Sequence, residues 1–423
     1  MRLAVVGAGW AGLAAAVRAV TAGHEVTLFE MAAQPGGRAR SVLRGPAVLD
    51  NGQHILIGAY SRTLSLMRRV GLDPSLAFHR RPLELRYPDG RGLGLPRGPA
   101  ALAFAAGVLR ARGFSRRGKW TLLGAAAGWL AGGFRCAPGT TVDALCANLS
   151  QDVRDLLIDP LCVAALNTPA RDASAAVLLR VLQDALFGGH GAADLLLPRR
   201  PLGELLPEPA WRWLGAAGAK LHAGQRVLAL ERQAGGWRVN DLPFDAVVLA
   251  TTATEAARLT AEHEGDWSAR AQALLYEPII TVYLQCPGAR LPAPMTALLE
   301  SARAPAQFAF DHGALGGRPG RFAFVVSGAR AWTEAGLEAT AGAVLAQAEE
   351  AFAPGTWPTS PQLLHVSAEK RATFRCVPGL DRPPARVAQG LVAAGDYIDG
   401  PYPATLEGAV RAGEQAVALL EAG

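Results

Sequence analysis

Apolar and polar positions change period several times along the chain, and each change marks an element. Leu3 to Val6 is a short unbroken apolar run of the kind that makes a buried strand. A glycine-rich turn, Gly7 to Gly12, follows it, and Leu13 to Thr21 is alanine-rich with the apolar spacing of a helix. His24 to Phe29 returns to strand character and ends at Glu30, so the opening predicts one βαβ unit. Farther on, Arg226 to Glu231 and Trp237 to Asn240 read as strands around a Gly235-Gly236 turn, and Ala246 to Ala250 reads as a buried strand. Gly390 to Ala394 is another. It leads through Gly395 and Asp396 into a proline-rich loop and a closing helix from about Thr405 to Leu420.

These α/β pieces lie at the start, middle and end, while mixed helix and strand patterns fill the stretches between. The pattern therefore predicts a discontinuous domain of residues 1–80, 221–260 and 386–423, with a second, α+β domain inserted as 81–220 and 261–385. Length agrees, since 423 residues exceed the roughly 250–300 at which single cores stop growing. Half of the residues are hydrophobic and 18% are charged, which describes a globular chain rather than a disordered one.

Charge changes the picture in one place. The net charge is +6, but the excess is almost all arginine, with lysine only at 119, 220 and 370, and no nucleic-acid partner is expected. Arg110, Arg112, Arg116, Arg117 and Lys119 lie between two apolar stretches, Ala101 to Leu109 and Thr121 to Phe134. Both are shorter than the roughly 20 residues needed to span a bilayer. Region 97–135 thus reads either as a membrane-docking surface or as a solvated face. The five cysteines make no CxxC pair and no metal spacing with the eight histidines, which predicts a reduced cytoplasmic protein without a metal, peripheral to the cytoplasmic membrane if the docking reading holds.

Chemistry enters at the first turn. Gly7-Ala8-Gly9-Trp10-Ala11-Gly12 follows a strand and opens a helix, the context in which GxGxxG binds a dinucleotide. Gly7 permits the turn, Gly9 lets backbone approach a diphosphate and Gly12 lets helix pack on strand. Glu30, at the end of the second strand, is placed to accept hydrogen bonds from a ribose diol. Gln34-Pro35-Gly36-Gly37-Arg38 follows directly and points to FAD rather than NAD, because paired glycines let the chain run against the cofactor and the Arg38 fork reaches a phosphate.

With these residues the opening resembles the flavin-dependent amine oxidase and phytoene desaturase superfamily. That resemblance implies an α/β protein: a Rossmann-type FAD-binding domain, discontinuous, with an inserted α+β substrate domain. The tail Gly395-Asp396-Tyr397 and Ala404-Thr405-Leu406-Glu407-Gly408-Ala409 resembles the superfamily's C-terminal flavin motif, which implies FAD contacts from Gly395, Asp396, Thr405 and Leu406. Val227 matches the position whose backbone touches the adenine. A narrower resemblance rests on Asp50-Asn51-Gly52-Gln53-His54 and on the run Pro160 to Pro169, which are similar to the hydroxysqualene dehydroxylases of bacterial hopanoid synthesis.

The narrower resemblance implies reductive removal of a hydroxyl from a long allylic isoprenoid alcohol, supplied by an upstream hydroxysqualene synthase or drawn from a membrane. Leaving hydroxide needs a proton, and the 50–54 loop is beside the flavin in the superfamily, so His54 and Asp50 are the candidate acids, with Gly52 and Gln53 against the flavin and Asn51 facing substrate. Structural readings stand beside these: Asp50 as a turn cap and His54 as a packed ring. Asn167 and Thr168 suit a wall that orients a hydroxyl, and equally a helix stop before Pro169. Cys162 fits as a small buried apolar residue of the same wall, and Tyr402 as an aromatic one. The external reductant is unspecified by any second dinucleotide motif. Carotenoid-type desaturation, amine oxidation with Tyr397 and Tyr402 as an aromatic pair, and a non-enzymatic prenyl-chain carrier remain as alternatives. Gly113 to Lys119 imitates a phosphate-binding loop, but Trp120 stands where Ser or Thr is required.

Overall fold

The computed structural model describes residues 1–422. Strand β1 (Arg2–Val6), helix α1 (Trp10–Thr21) and strand β2 (Glu25–Glu30) form the expected βαβ unit. The helix starts at Trp10, earlier than the apolar spacing predicts, because extended Gly9 serves as N-cap and the Trp10 ring is buried. Its indole N–H donates to Ala39 O at 3.0 Å. Since Gly9 has no side chain to hold them, the first-turn N–H groups of α1 are left for a ligand.

Six strands form the larger sheet, in the order Lys220–Ala223, β2, β1, Ala246–Leu249, Leu391–Ala393 and Arg386–Ala388. All pairs are parallel except the last, at the edge. The β1 strand has β2 on one side and Ala246–Leu249 on the other, so winding reverses at its carboxyl end, where open α/β sheets bind ligands. Lys220, placed one residue outside the expected boundary at 221, pairs with Thr27 and belongs to this sheet. The closing helix, Leu406–Glu421, lies along α1. Gly413 allows this: a Cβ there would sit 2.2 Å from Ala11 O.

One expected strand is displaced. Ladder pairing runs from Leu230 to Gln233 against Gly236–Val239, rather than over Arg226 to Glu231, and the turn is Ala234-Gly235. Side chains claim the earlier backbone. The Asn240 amide accepts from Leu228 N and donates to Arg226 O, while Arg258 donates to Val227 O and Leu228 O.

A second, antiparallel sheet carries Met295–Ala297, Phe308–Asp311, Arg321–Val326, Tyr276–Gln285 and Gln362–Phe374 in that order. Helix Leu337–Ala351 packs on it around Ile280, Val282, Phe322, Phe324 and Val344. Two further short strands, β3 (Ser41–Arg44) and β4 (Ala47–Asp50), form a hairpin. Helix α2 (Ser61–Arg69) follows them. Among the described residues no helix is long and apolar enough to cross a membrane.

Candidate functional site

The two glycine motifs meet. Gly36 N donates to Ala8 O at 2.8 Å, Gly9 and Gly36 form a parallel bridge, and a Cβ on Gly37 would lie 3.2 Å from Gly9 Cα. Gly7 has φ of 101° and no room for a Cβ, which would stand 2.6 Å from Ala250 O. At Gly12 the added atom would be 1.8 Å from Gly7 O. The result is a backbone cradle at the positive end of α1, the arrangement that receives a diphosphate. Trp10 and Ala11 are buried and support it from behind.

Glu30 is buried at the end of β2, where Oε2 accepts from Ala8 N at 2.7 Å and Oε1 from Ala32 N at 2.8 Å. A carboxylate has about four acceptor sites, so this tethered group retains capacity for a ribose diol. Gly224 N and Gln225 N bind Ala32 O and Glu30 O, which brings the Val227 loop to the same end of the sheet.

Arg38, expected to reach a phosphate, is engaged within the protein. Its guanidinium donates to Asp396 Oδ1 at 2.5 Å and to Ala372 O at 2.7 Å, tying the second glycine loop to the C-terminal motif and to strand Gln362–Phe374. Asp396 and the neighbouring carboxylate Glu369 raise the Arg38 pKa against the opposing effect of burial, so the side chain is a fixed cation. Tyr276 and Tyr397 lie within electrostatic reach of the pair. The Tyr397 hydroxyl is buried without a hydrogen-bond partner among the described residues. An orphaned polar atom beside a glycine cradle and a fixed ion pair is what a polar cofactor would complete. Gly395 is required here, since a Cβ would come 2.5 Å from the Tyr397 ring. Thr405 caps the closing helix, accepting from Gly408 N at 2.9 Å, and Leu406 begins it.

The 50–54 loop is anchored from several sides. Asp50 Oδ1 accepts from Ser41 Oγ at 2.7 Å and from Leu202 N at 2.9 Å, which makes it a clamp between hairpin β3–β4 and the short helix Leu202–Leu205. Burial pushes its carboxyl up to about 6. Asn51 exchanges hydrogen bonds with the Arg40 backbone through its own N–H and Oδ1. Gln53 Oε1 meets His312 Nε2 at 3.3 Å, and Tyr283 donates to Asp50 O at 2.8 Å. His54 Nδ1 bonds Gly52 O at 2.9 Å. Burial and then the Arg38 cation lower its pKa, the Gly52 carbonyl opposing them, so His54 shares the Arg38 environment as a predominantly neutral ring.

The wall expected at Asn167, Thr168 and Cys162 is a brace instead. Asn167 ends helix Asp159–Leu166 in the left-handed region, with Nδ2 on Glu277 O and Thr373 Oγ1 and Oδ1 on Gly328 N. Thr168 Oγ1 donates to Leu166 O and accepts from Cys376 N. Cys162 Sγ contacts Thr168 O, and burial pushes the thiol up to about 12. These polar groups are consumed within the protein, so the helix-stop reading prevails over hydroxyl orientation. Tyr402 is sandwiched between Arg180 and Arg411, at 5.1 and 4.6 Å from its ring centroid, and its hydroxyl accepts from Arg180. A small cleft lined by Arg80, Arg81, Arg97 and His190 contains none of the residues around Arg38. Sequence reading missed Tyr276 and Tyr283, which stand in an ordinary apolar strand, and His312, in the turn after strand Phe308–Asp311, none of them part of any motif.

The family model described as flavin containing amine oxidoreductase matches residues 10–420. The hydroxysqualene dehydroxylase of Rhodopseudomonas palustris is 30% identical over 98% of this chain and 97% of its own length. The zeta-carotene desaturase of Synechocystis is 43% identical, but over 77 residues, 18% of this chain and 16% of its own. Among solved structures, an oxidoreductase from Methanosarcina mazei superposes with a TM-score of 0.73 at 17% identity, covering 99% of this chain and all of that one.

Proposed function

This chain belongs to the flavin-containing amine oxidoreductase family, as an FAD-dependent oxidoreductase standing with the hydroxysqualene dehydroxylases, and from that premise we propose that it converts hydroxysqualene reductively to squalene. The observation that carries the reading is extent: similarity to a dehydroxylase runs through 98% of the chain, and similarity to a desaturase through 18%. The substrate is then a long allylic isoprenoid alcohol, delivered by an upstream hydroxysqualene synthase in squalene and hopanoid formation, with an external reductant recharging the protein.

The overall change replaces C–OH by C–H, consuming one hydride and one proton and releasing water. Reduced FAD, when bound, supplies the hydride. The protein provides the proton and the setting. The glycine cradle, Glu30, Val227, Arg38, Asp396 and the start of the closing helix would hold the cofactor, with Gly52 and Gln53 on the loop beside it. His54 is the acid: the Gly52 carbonyl holds Nδ1, and Nε2 is the nitrogen left to carry the proton to the departing hydroxyl. Asp50 positions this loop through Ser41 and Leu202. Water must be excluded from the site, since it would recapture the allylic cation left when the C–O bond ionises.

The test is anaerobic incubation of the photoreduced holoprotein with hydroxysqualene, following flavin absorbance and extracting the lipid. One squalene formed per flavin reoxidised is the expected result. A yellow protein whose flavin stays reduced in the presence of this alcohol would remove the dehydroxylase reading and direct attention to hydride abstraction from polyenes.

A further inference from the structure

We infer that the helices Ala100–Arg110 and Arg116–Ala131 form a docking surface that lies on an anionic lipid bilayer. The inference is independent of which substrate the flavin site takes.

Pro99 to Leu109 contains no polar or charged side chain, and from Trp120 to Phe134 the only polar one is Thr121. Each helix buries one narrow side, through Ala103, Gly107 and Val108 in the first and Gly118 and Leu122 in the second. A Cβ on Gly107 would meet Leu95 and the Gly94 carbonyl, so this side is seated closely. The opposite side is open. Leu102 is 68% exposed, Leu109 51%, Trp120 68% and Leu130 49%. Leu102 and Leu109 are one heptad apart and share a face, and Trp120 shares one with exposed Ala127 and Ala131. A helix facing water ordinarily carries charges along that face; here they are confined to the helix ends, Arg110 at the close of the first and Arg116 and Arg117 at the start of the second.

Charge is concentrated at the ends of the apolar faces instead. Residues 90–142 contain no Asp or Glu and eight basic residues. Arg97, Arg110, Arg112, Arg116, Arg117 and Arg135 are exposed, and none of them forms an ion pair among the described residues. Lys119 donates to Leu109 O at 2.8 Å and fastens one helix to the other. Asp152, the acid closest to this corner in the hydrogen-bond network, is occupied by Ser115 N.

Apolar faces with a tryptophan among them and a guanidinium rim match the boundary between acyl chains and anionic headgroups. Neither helix can cross, so the pair lies in the plane of the surface. A second copy of the chain fits poorly, because a two-fold contact would bring the two unpaired arginine sets together with no acid to oppose them.

Vesicle flotation of the holoprotein tests this, using phosphatidylglycerol/phosphatidylethanolamine vesicles against pure phosphatidylcholine, at low and high salt. The wild type should float with the anionic vesicles and lose much of that binding in salt. Arg110→Gln/Arg112→Gln/Arg116→Gln/Arg117→Gln should weaken it by several hundred-fold, at about fivefold per arginine. Leu102→Ser/Leu109→Ser/Trp120→Ser/Leu130→Ser should abolish it, while both variants keep their FAD and their rate on substrate in detergent micelles. Absence of flotation by the wild type, or equal flotation by the serine variant, overturns the proposal. So does a dimer in scattering measurements that the serine variant splits, since the face would then belong to a second copy. If the serine variant loses FAD, Trp120→Phe decides: quenching of protein fluorescence by brominated acyl chains must fall, and unchanged quenching overturns the assignment. Failure of the wild type to react in micelles would count against the dehydroxylase reading and leave the flotation result intact.

Discussion

His54 sits where its own burial and the half-buried Arg38 cation both oppose protonation, with a pKa below the ordinary 6.5. An imidazolium held under those conditions is a stronger acid than usual and is scarcer at neutral pH. If His54 supplies the proton, kcat/KM falls as pH rises through the lowered pKa, with the inflection below 6.5. His54→Ala is expected to lower kcat by about 10²- to 10⁴-fold and to flatten that limb, with FAD content unchanged by absorbance. Retention of that falling limb in the variant would assign the proton elsewhere. The motif made His54 a candidate, but its tautomer was not legible, because that depends on where the Gly52 carbonyl points. Asp50 shows the same limit, a carboxylate in the right motif held by Ser41 on the paired hairpin strand and by Leu202 from a segment 152 residues away.

Among elements, the closing helix does more than its flavin-motif resemblance implies. Glu407, fully buried in its first turn, accepts from Arg62 N at 3.1 Å, Thr63 N at 2.9 Å and Thr63 Oγ1 at 2.7 Å, and pairs with Arg411 Nε at 2.7 Å. It therefore satisfies the start of α2, whose own N-cap position, Tyr60, provides no side-chain bond. Glu407→Ala would leave several donors and a partly buried cation unpaired, and is expected to cost about 3–5 kcal/mol. A lowered denaturation midpoint for both FAD-bound and FAD-free protein is the outcome that checks it; a change confined to the FAD-bound form would make Glu407 a cofactor residue instead. Gly408 explains its own place in the motif, since a Cβ would strike Tyr402 O at 1.9 Å.

Across the molecule, Asn167 joins the helical insertion to the antiparallel sheet by three hydrogen bonds to Glu277, Thr373 and Gly328. Asn167→Ala leaves buried backbone groups unsatisfied at about 1–3 kcal/mol each, and the residue also loses the side chain best suited to its φ of 46°. The expected result is an earlier thermal transition together with a turnover defect larger than any loss of FAD. Equal thermal stability to the wild type would return Asn167 to the substrate wall.

The chain by itself determined the cofactor end: local spacing places three glycines, an acid and a glycine-arginine turn at the ends of consecutive elements, and backbone sterics allow that pattern few other conformations. Apolar runs also marked four strands of the six-stranded sheet, but not its edge strands Lys220–Ala223 and Arg386–Ala388, and the separate strand expected over Arg226 to Glu231 was misplaced because Asn240 and Arg258 took over backbone pairing. Tertiary structure alone decided the rest. Whether a polar side chain faces a ligand or is consumed by the protein depends on partners hundreds of residues away, as with Arg38 and Asp396, Asn167 and Thr373, or Gln53 and His312. Such pairings arise from how elements stack, and the spacing of a single chain does not encode them in any local period.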